Sequence, residues 1–434
     1  VLPSVKKVVT VQDVRVDTRR VSAAVAAAGL SSFALLYAPQ PVLPQMARAY
    51  GLDPGSASLA IGVATTALAV AVLPLAWAAG AVGRRRMILW SVLVAALIGL
   101  SLPLAPSFPV LLALRAVQGV AVAGFAGVGA AYLADVLGTA RLPTAVGAMI
   151  AGNSVGGMLG RLGAGFATGP LGWHGALLAV AAVALACATF TALTLPREPR
   201  TTTAPERDLL HPALPREPRT AQALAERGGA MGVRRVGPRG GSRPRLGAAI
   251  VTPILVGGLG MGAFVALYNA AAFRLSAPPL DLSPAAASLV FLSYAMGTLT
   301  SAAAGRLAAR LGRTPAVVTA LAVTVVGSLL TAHPSLPVIV LGFAVLTAGF
   351  FAAHAVANAW ATAEAPPAAR GRAAGLYTLC YYLGSGVGGT VGGIVYGHAG
   401  WSWLVGLTSA WLLLAALAVL VARRRPVRVA EATG

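Results

Sequence analysis

The sequence is poor in charge and poorest in acid. Only 10% of its 434 residues are charged, and Asp plus Glu number 12 against 33 Lys plus Arg. Soluble globular chains carry about 25% charged residues, so this chain lacks the polar surface a soluble fold of its length needs. Cysteine is nearly absent. Cys187 and Cys380 both fall inside apolar runs, with no CxxC spacing, which excludes a disulfide framework and leaves two small buried residues as the simplest reading. There is no GxxxxGK[ST] loop, so the chain has no ATPase of its own, and no HExxH or Cys/His cluster for a metal. No cofactor is expected. No catalytic constellation within reach of a membrane face is found either, so an enzyme is not expected.

What is abundant is apolar sequence. Hydrophobic residues make up 57% of the chain and mean hydropathy is +0.78. A spanning helix needs about 20 apolar residues, and twelve segments qualify. They are roughly 21–47, 56–79, 87–105, 108–134, 143–168 and 174–195, then 246–275, 284–308, 315–332, 335–362, 373–397 and 401–422. The first follows Arg19-Arg20 as a signal peptide would. No small-residue cleavage site leads from it into a soluble domain, so it reads as the first span.

The net charge of +21 raises nucleic acid as a partner. The placement of the arginines argues against it, since they sit in the short gaps between apolar runs rather than on one folded face. With the N-terminus placed in the cytoplasm, twenty-nine of the 33 basic residues fall on that side, and only Arg48 and Arg274 lie at the other face. That bias predicts a multi-pass protein of a bacterial-type inner (plasma) membrane with both termini cytoplasmic. The expected organisation is a cytoplasmic tail (1–20), a six-helix bundle (21–195), a basic, Pro-rich linker (196–245), a second six-helix bundle (246–422) and a C-tail (423–434). The linker repeats LPREPRT at 195–201 and 214–220 and has no apolar period. It reads as a disordered tether.

The two halves look repeated. Gly83-Arg84 returns as Gly312-Arg313 and Asp135 as Glu364, an offset of 229; Leu52-Asp53 returns as Leu280-Asp281 and Gly172-Trp173 as Gly400-Trp401, an offset of 228. Gly156, Gly160 and Gly165 match Gly384, Gly388 and Gly393. Spacing by four lines glycines on one helix face and lets backbones approach. The expected fold is an all-α membrane protein of twelve helices in two pseudo-symmetric six-helix bundles, with a substrate site between them near the midplane.

Several motifs carry a resemblance. The loop after the second span reads Gly83-Arg84-Arg85-Arg86, and its counterpart runs from Gly305 to Arg313. The fourth span holds Leu112-x-x-Arg115-x-x-Gln118-Gly119 and the fifth Gly152-Asn153-Ser154-Val155-Gly156-Gly157. Together with the six-plus-six repeat they resemble the major facilitator superfamily, most of all its twelve-helix efflux branch of drug-and-sugar proton antiporters. The resemblance covers nearly the whole chain outside the N-tail and linker. It implies a secondary transporter working as a monomer by alternating access, with a small organic molecule and protons as partners. The family's loop motif G-x-x-x-D-R-x-G-R-R has Gly80 and Ala81 at its Asp and Arg positions here; in the second half Ala309 replaces the Asp while Arg310 remains. Asn153 stands where the fifth-span antiporter motif has proline.

The residues themselves supply a candidate cavity. A charge inside a span costs about 2.5–3.5 kcal/mol on insertion scales, so Arg115, with Gln118 one turn on, should face the bundle interior, and Arg161 likewise. For both arginines a hydrogen bond to neighbouring helix carbonyls is the alternative to a substrate role. Tyr37 and Gln40 in the first span, Tyr268 and Asn269 in the corresponding part of the seventh, Asn153 in the fifth, and Tyr381 and Tyr382 in the eleventh complete the polar inventory. Such groups line mostly apolar pockets or glue helices together. No Asp or Glu falls in the middle of a span. Coupling and gating candidates are therefore Asp135, Glu364, Arg84, Arg85 and Arg313 at span ends, and His354 in the tenth span. Proton-coupled efflux is the leading expectation; an uptake permease or uniporter for a sugar or metabolite, and a non-transporting receptor, remain as alternatives.

Overall fold

The computed structural model describes residues 17–196, 248–366 and 369–424. Most of the expected N-tail, linker and C-tail lie outside them. Among the described residues ten helical stretches are long and apolar enough to cross a bilayer. Two of these, Thr144–Thr194 and Arg370–Arg423, have 51 and 54 residues. At about 1.5 Å per residue each is more than twice the hydrocarbon thickness. Each contains one glycine at positive φ, Gly172 (66°) and Gly400 (81°), and Gly400 breaks the helical path. Both stretches reverse there, giving twelve crossings.

In chain order these are α1 (Thr18–Tyr37), α2 (Pro54–Val82), α3 (Arg84–Ser101), α4 (Phe108–Leu137), α5 (144–171) and α6 (173–194), then α7 (Val251–Leu275), α8 (Pro284–Leu311), α9 (Arg313–Leu330), α10 (Leu336–Ala363), α11 (370–399) and α12 (401–424). Starts follow local chemistry. Asp17 caps α1, and Asp53 caps α2 with Pro54 at its first position. Gly83 and Gly312, both at positive φ, end α2 and α8 before the arginines that open α3 and α9. α1 is cut short by Pro39, Pro41 and Pro44; the chain passes through a 3-10 turn (Gln40–Val42) into a short helix, Leu43–Tyr50.

The repeat is visible in packing. α5 lies on α1 with Gly156 against Leu30 and Gly160 against Ala34. α11 lies on α7 with Gly384 against Gly258 and Gly388 against Gly262. Every one of these residues is displaced from its counterpart by 228 positions. A Cβ on any of the four α5 or α11 glycines would meet the facing backbone, so the contacts are backbone on backbone. α6 then returns along α1, with Ser31 bonded to the Ala184 carbonyl and Thr191 to that of Ala24. Trp77, Leu193 and Trp403 are exposed, while the largest fully buried side chains include Arg115 and Arg161. Apolar groups outside and cations inside suit a lipid solvent.

Arg84 pairs with Asp135 and Arg313 with Glu364, each within its own half, at the end of the helices that carries the arginine loops. The halves meet mainly through α2 with α11 and α5 with α8. Gly55 abuts Ile394, Gly62 abuts Gly386 and Gly165 abuts Ser288. The interface is closed at the end remote from the arginine loops, where the 40–50 segment also packs on α7 and α8.

Candidate functional site

Two buried arginines sit in the first half, and their surroundings differ. Arg115 of α4 is fully buried and points at the broken end of α1. The last carbonyls of a helix have no partner of their own, and Pro39 has no N–H to give that of Leu35. Arg115 supplies both missing donors: Nη1 bonds the Leu35 carbonyl at 3.1 Å and Nη2 that of Leu36 at 2.6 Å. Nε bonds the Ala60 carbonyl of α2 at 2.6 Å, and Nη1 also meets Gln118 Oε1. Gln118 Nε2 continues to the Ala95 carbonyl of α3 at 3.0 Å. The cation also lies at the negative end of the α1 dipole. Arg115 and Gln118 therefore tie four helices together. Arg115 faces the bundle interior as its depth implied, and in this conformation the helix carbonyls, the alternative to a substrate role, hold the guanidinium.

Arg161 of α5 is also buried, at 1% exposure, but faces the interface. Its guanidinium carbon lies 4.0 Å from the Tyr37 ring centre and 4.4 Å from that of Tyr294, with Phe291 at 5.4 Å. Tyr37 belongs to the first half, Tyr294 and Phe291 to the second. Cation–π contacts of this kind contribute about 0.5–2 kcal/mol each. Nη1 bonds the Gly157 carbonyl at 2.8 Å and Nε bonds Gln40 Oε1. A guanidinium has only donors, so Gln40 must turn its oxygen to Arg161 and its amide nitrogen away. Gln40 Nε2 accordingly donates to Asn269 Oδ1 at 2.6 Å. That leaves Asn269 Nδ2 buried with no acceptor. Gln40 and Asn269 are 229 positions apart, one more than the offset of the packed helices, so corresponding parts of the two repeats meet across the interface. The position matching Arg161 in the second half is Gly389, where a Cβ would stand 2.7 Å from Asn269 Nδ2.

The second half adds an aromatic wall. Phe264, Tyr268, Phe291, Tyr294, Phe350 and Phe351 form a continuous set of ring contacts. The Tyr268 hydroxyl is hydrogen-bonded to the hydroxyls of Ser293 and Thr347 within that half. His354 Nδ1 is 2.8 Å from the Tyr377 hydroxyl, and its ring packs on Tyr381, which meets Tyr382 edge-on.

The sequence-chosen residues thus divide. Tyr37, Gln40, Arg161 and Asn269 come together as one cluster, with Tyr268 beside it. Asn153 lies apart on α5 against Gly29 of α1, with its oxygen unpartnered. Arg85 bonds the Leu195 carbonyl at 3.0 Å. The sequence reading did not single out Phe291, Tyr294 or Tyr377. Their signal was the three- and four-residue spacing of aromatics (291/294, 350/354, 377/381), which hydropathy counts only as span.

Two six-helix bundles meeting over a buried polar cluster define the class, a membrane transporter. The chain belongs to the Major Facilitator Superfamily, whose model matches residues 25–276 and 256–434. It is 31% identical over 397 residues to the uncharacterized MFS-type transporter YybF of Bacillus subtilis, covering 92% of each chain. It is 34% identical over 402 residues to the inner membrane transport protein YnfM of Escherichia coli, covering 92% of this chain and 89% of the relative. In fold it resembles a bacterial homolog of the human lysosomal transporter Spinster in its inward-facing, occupied conformation (TM-score 0.72, 16% identity, 94% and 97% covered). The D-xylose-proton symporter is similar (TM-score 0.67, 16% identity, 93% and 96% covered).

Proposed function

We propose that this transporter is a proton-coupled exporter of a small organic molecule, working as a monomer by alternating access in a bacterial inner membrane, with both termini cytoplasmic. The observation that carries the reading is the Arg161–Gln40–Asn269 chain, which crosses between the halves where they are closed. Substrate binds beside this chain against the aromatic wall. Rocking of the halves breaks the Gln40–Asn269 contact and exposes the site to the remote face. The smooth Gly62–Gly386 and Gly165–Ser288 contacts give way in the same movement. On this reading the in-half pairs Arg84–Asp135 and Arg313–Glu364 exchange partners when the arginine-loop end closes. His354, hydrogen-bonded to Tyr377 beside the wall, carries the proton, with Asp135 and Glu364 as the alternatives.

The inner-membrane location is supported by the name of the Escherichia coli relative, and cytoplasmic termini by the arginine bias. The efflux direction rests on the fifth-span motif. The test is flux of candidate compounds in everted vesicles with and without an imposed pH gradient. Accumulation that follows the gradient supports coupled export; flux indifferent to it defeats the coupling. A second reading, an uptake permease or uniporter, is favoured by the lack of a mid-span carboxylate in the sequence. A growth defect on one nutrient in a deletion strain, without any resistance on overexpression, would select it.

A further inference from the structure

The interface cluster is one-sided in its chemistry. Arg161 has five N–H donors, of which Nε and one on Nη1 are engaged by Gln40 and the Gly157 carbonyl. Among the described residues Nη2 has no hydrogen-bond partner. Asn269 is fully buried and its Nδ2 finds no acceptor. Both ion pairs among the described residues lie at the arginine-loop end of the helices, within single halves, so neither neutralises Arg161. A desolvated cation and a buried amide with spare donors are each costly when left unpaired. What the site lacks is an acceptor carrying negative charge.

We propose that Arg161 and Asn269 together bind the carboxylate of an organic anion, whose apolar or aromatic body lies against Tyr37 and Tyr294. The chemistry decides for an anion. A cationic substrate would meet Arg161 with no carboxylate between them, and a neutral apolar one would leave the donors unsatisfied. A carboxylate has acceptors only and matches the planar fork of an arginine in two parallel bonds. The rings that flank the guanidinium put apolar faces beside the carboxylate's partner, against which an apolar body can pack. Gly389 keeps the space beside Asn269 Nδ2 clear, since a Cβ there would crowd it. Arg115 is no rival, because carbonyls and Gln118 occupy its donors.

This inference rests on the interface cluster being the substrate site, and binding tests it apart from flux. Thermal unfolding of the purified full chain is measured with benzoate and phenylacetate against benzamide, benzylamine and sodium sulfate at matched ionic strength. The carboxylates raise the transition and the amide and amine do not. Arg161→Met abolishes that shift, and Asn269→Leu weakens the apparent affinity about tenfold, the loss of one charge-assisted bond. Should Arg161→Met fail to fold, Arg161→Lys serves, keeping a charge but losing the fork and so most of the shift. Equal shifts from carboxylate and amide, no carboxylate shift at all, or a shift that survives both Arg161 variants overturns the proposal. A sulfate shift equal to that of benzoate overturns the organic assignment. Carboxylate binding through Arg161 without flux in proteoliposomes would defeat transport and leave the anion site standing.

Discussion

At the residue scale, the two buried arginines show how neighbours decide what a charge does. Arg115 completes the end of α1, bonding two carbonyls that the helix leaves without donors. Arg115→Ala leaves the Leu35 and Leu36 carbonyls orphaned in a dry interior. We expect a loss of about 3 kcal/mol or more, read as a lower melting temperature and reduced folded yield before any transport assay. Melting at the wild-type temperature would return Arg115 to the substrate site. Asp53 offers a milder case outside the membrane span. Its carboxylate accepts from the Ser56 hydroxyl, the Ser56 amide and the Gly55 amide, which hold its pKa below the ordinary value. A depressed folded pKa stabilises above the unfolded carboxylate value, about 3.9, and that stability is lost as pH falls through the folded value. Asp53→Ala therefore destabilises by about 1 kcal/mol at neutral pH. Unfolding curves of the two proteins should converge as the pH is lowered below about 4.

At the element scale, glycine does two jobs that look alike in composition. Gly388 lets α11 touch α7 backbone to backbone, and a Cβ there meets Gly262. Gly305 on α8 faces open space. Gly388→Leu should prevent assembly of the second bundle, seen as aggregation on size exclusion, whereas Gly305→Ala should be neutral or slightly stabilising because alanine favours helix over glycine. Equal behaviour of the two would remove the close-packing account. The spacing of the glycines was legible in the sequence, and so was the repeated Gly-Trp pair at 172 and 400, whose turn only the backbone shows. Which glycines pack and which merely line lipid was not, because that depends on the direction each helix face takes.

At the scale of the whole molecule, the halves meet as two copies of one idea with unequal chemistry. The first supplies the cation, the second most of the rings, and each supplies an amide. Closure at the end remote from the arginine loops relies on small residues, so a wedge should hold it open. In a background with Cys187→Ser and Cys380→Ser, a cysteine introduced by Val42→Cys is buried in the closed form and should resist a membrane-impermeant maleimide. Adding Gly62→Leu should make it reactive from that end and slow transport. Unchanged labelling would show that α2 and α11 do not gate that end.

The sequence alone determined the twelve spans, the six-plus-six repeat, the repeated Gly-Trp pair and the list of polar residues from which the site is drawn. These are one-dimensional properties: hydropathy, spacing and φ-permissive residues act where they stand in the chain. Tertiary structure decided what each interior arginine serves. Arg115 and Arg161 lie at similar depth in successive spans, and nothing local separates them. One meets the carbonyls left without donors at the end of α1; the other meets Gln40, two tyrosine rings and a second bundle whose amide still lacks an acceptor. Charge in a low-dielectric interior takes its role from the partners folding brings to it.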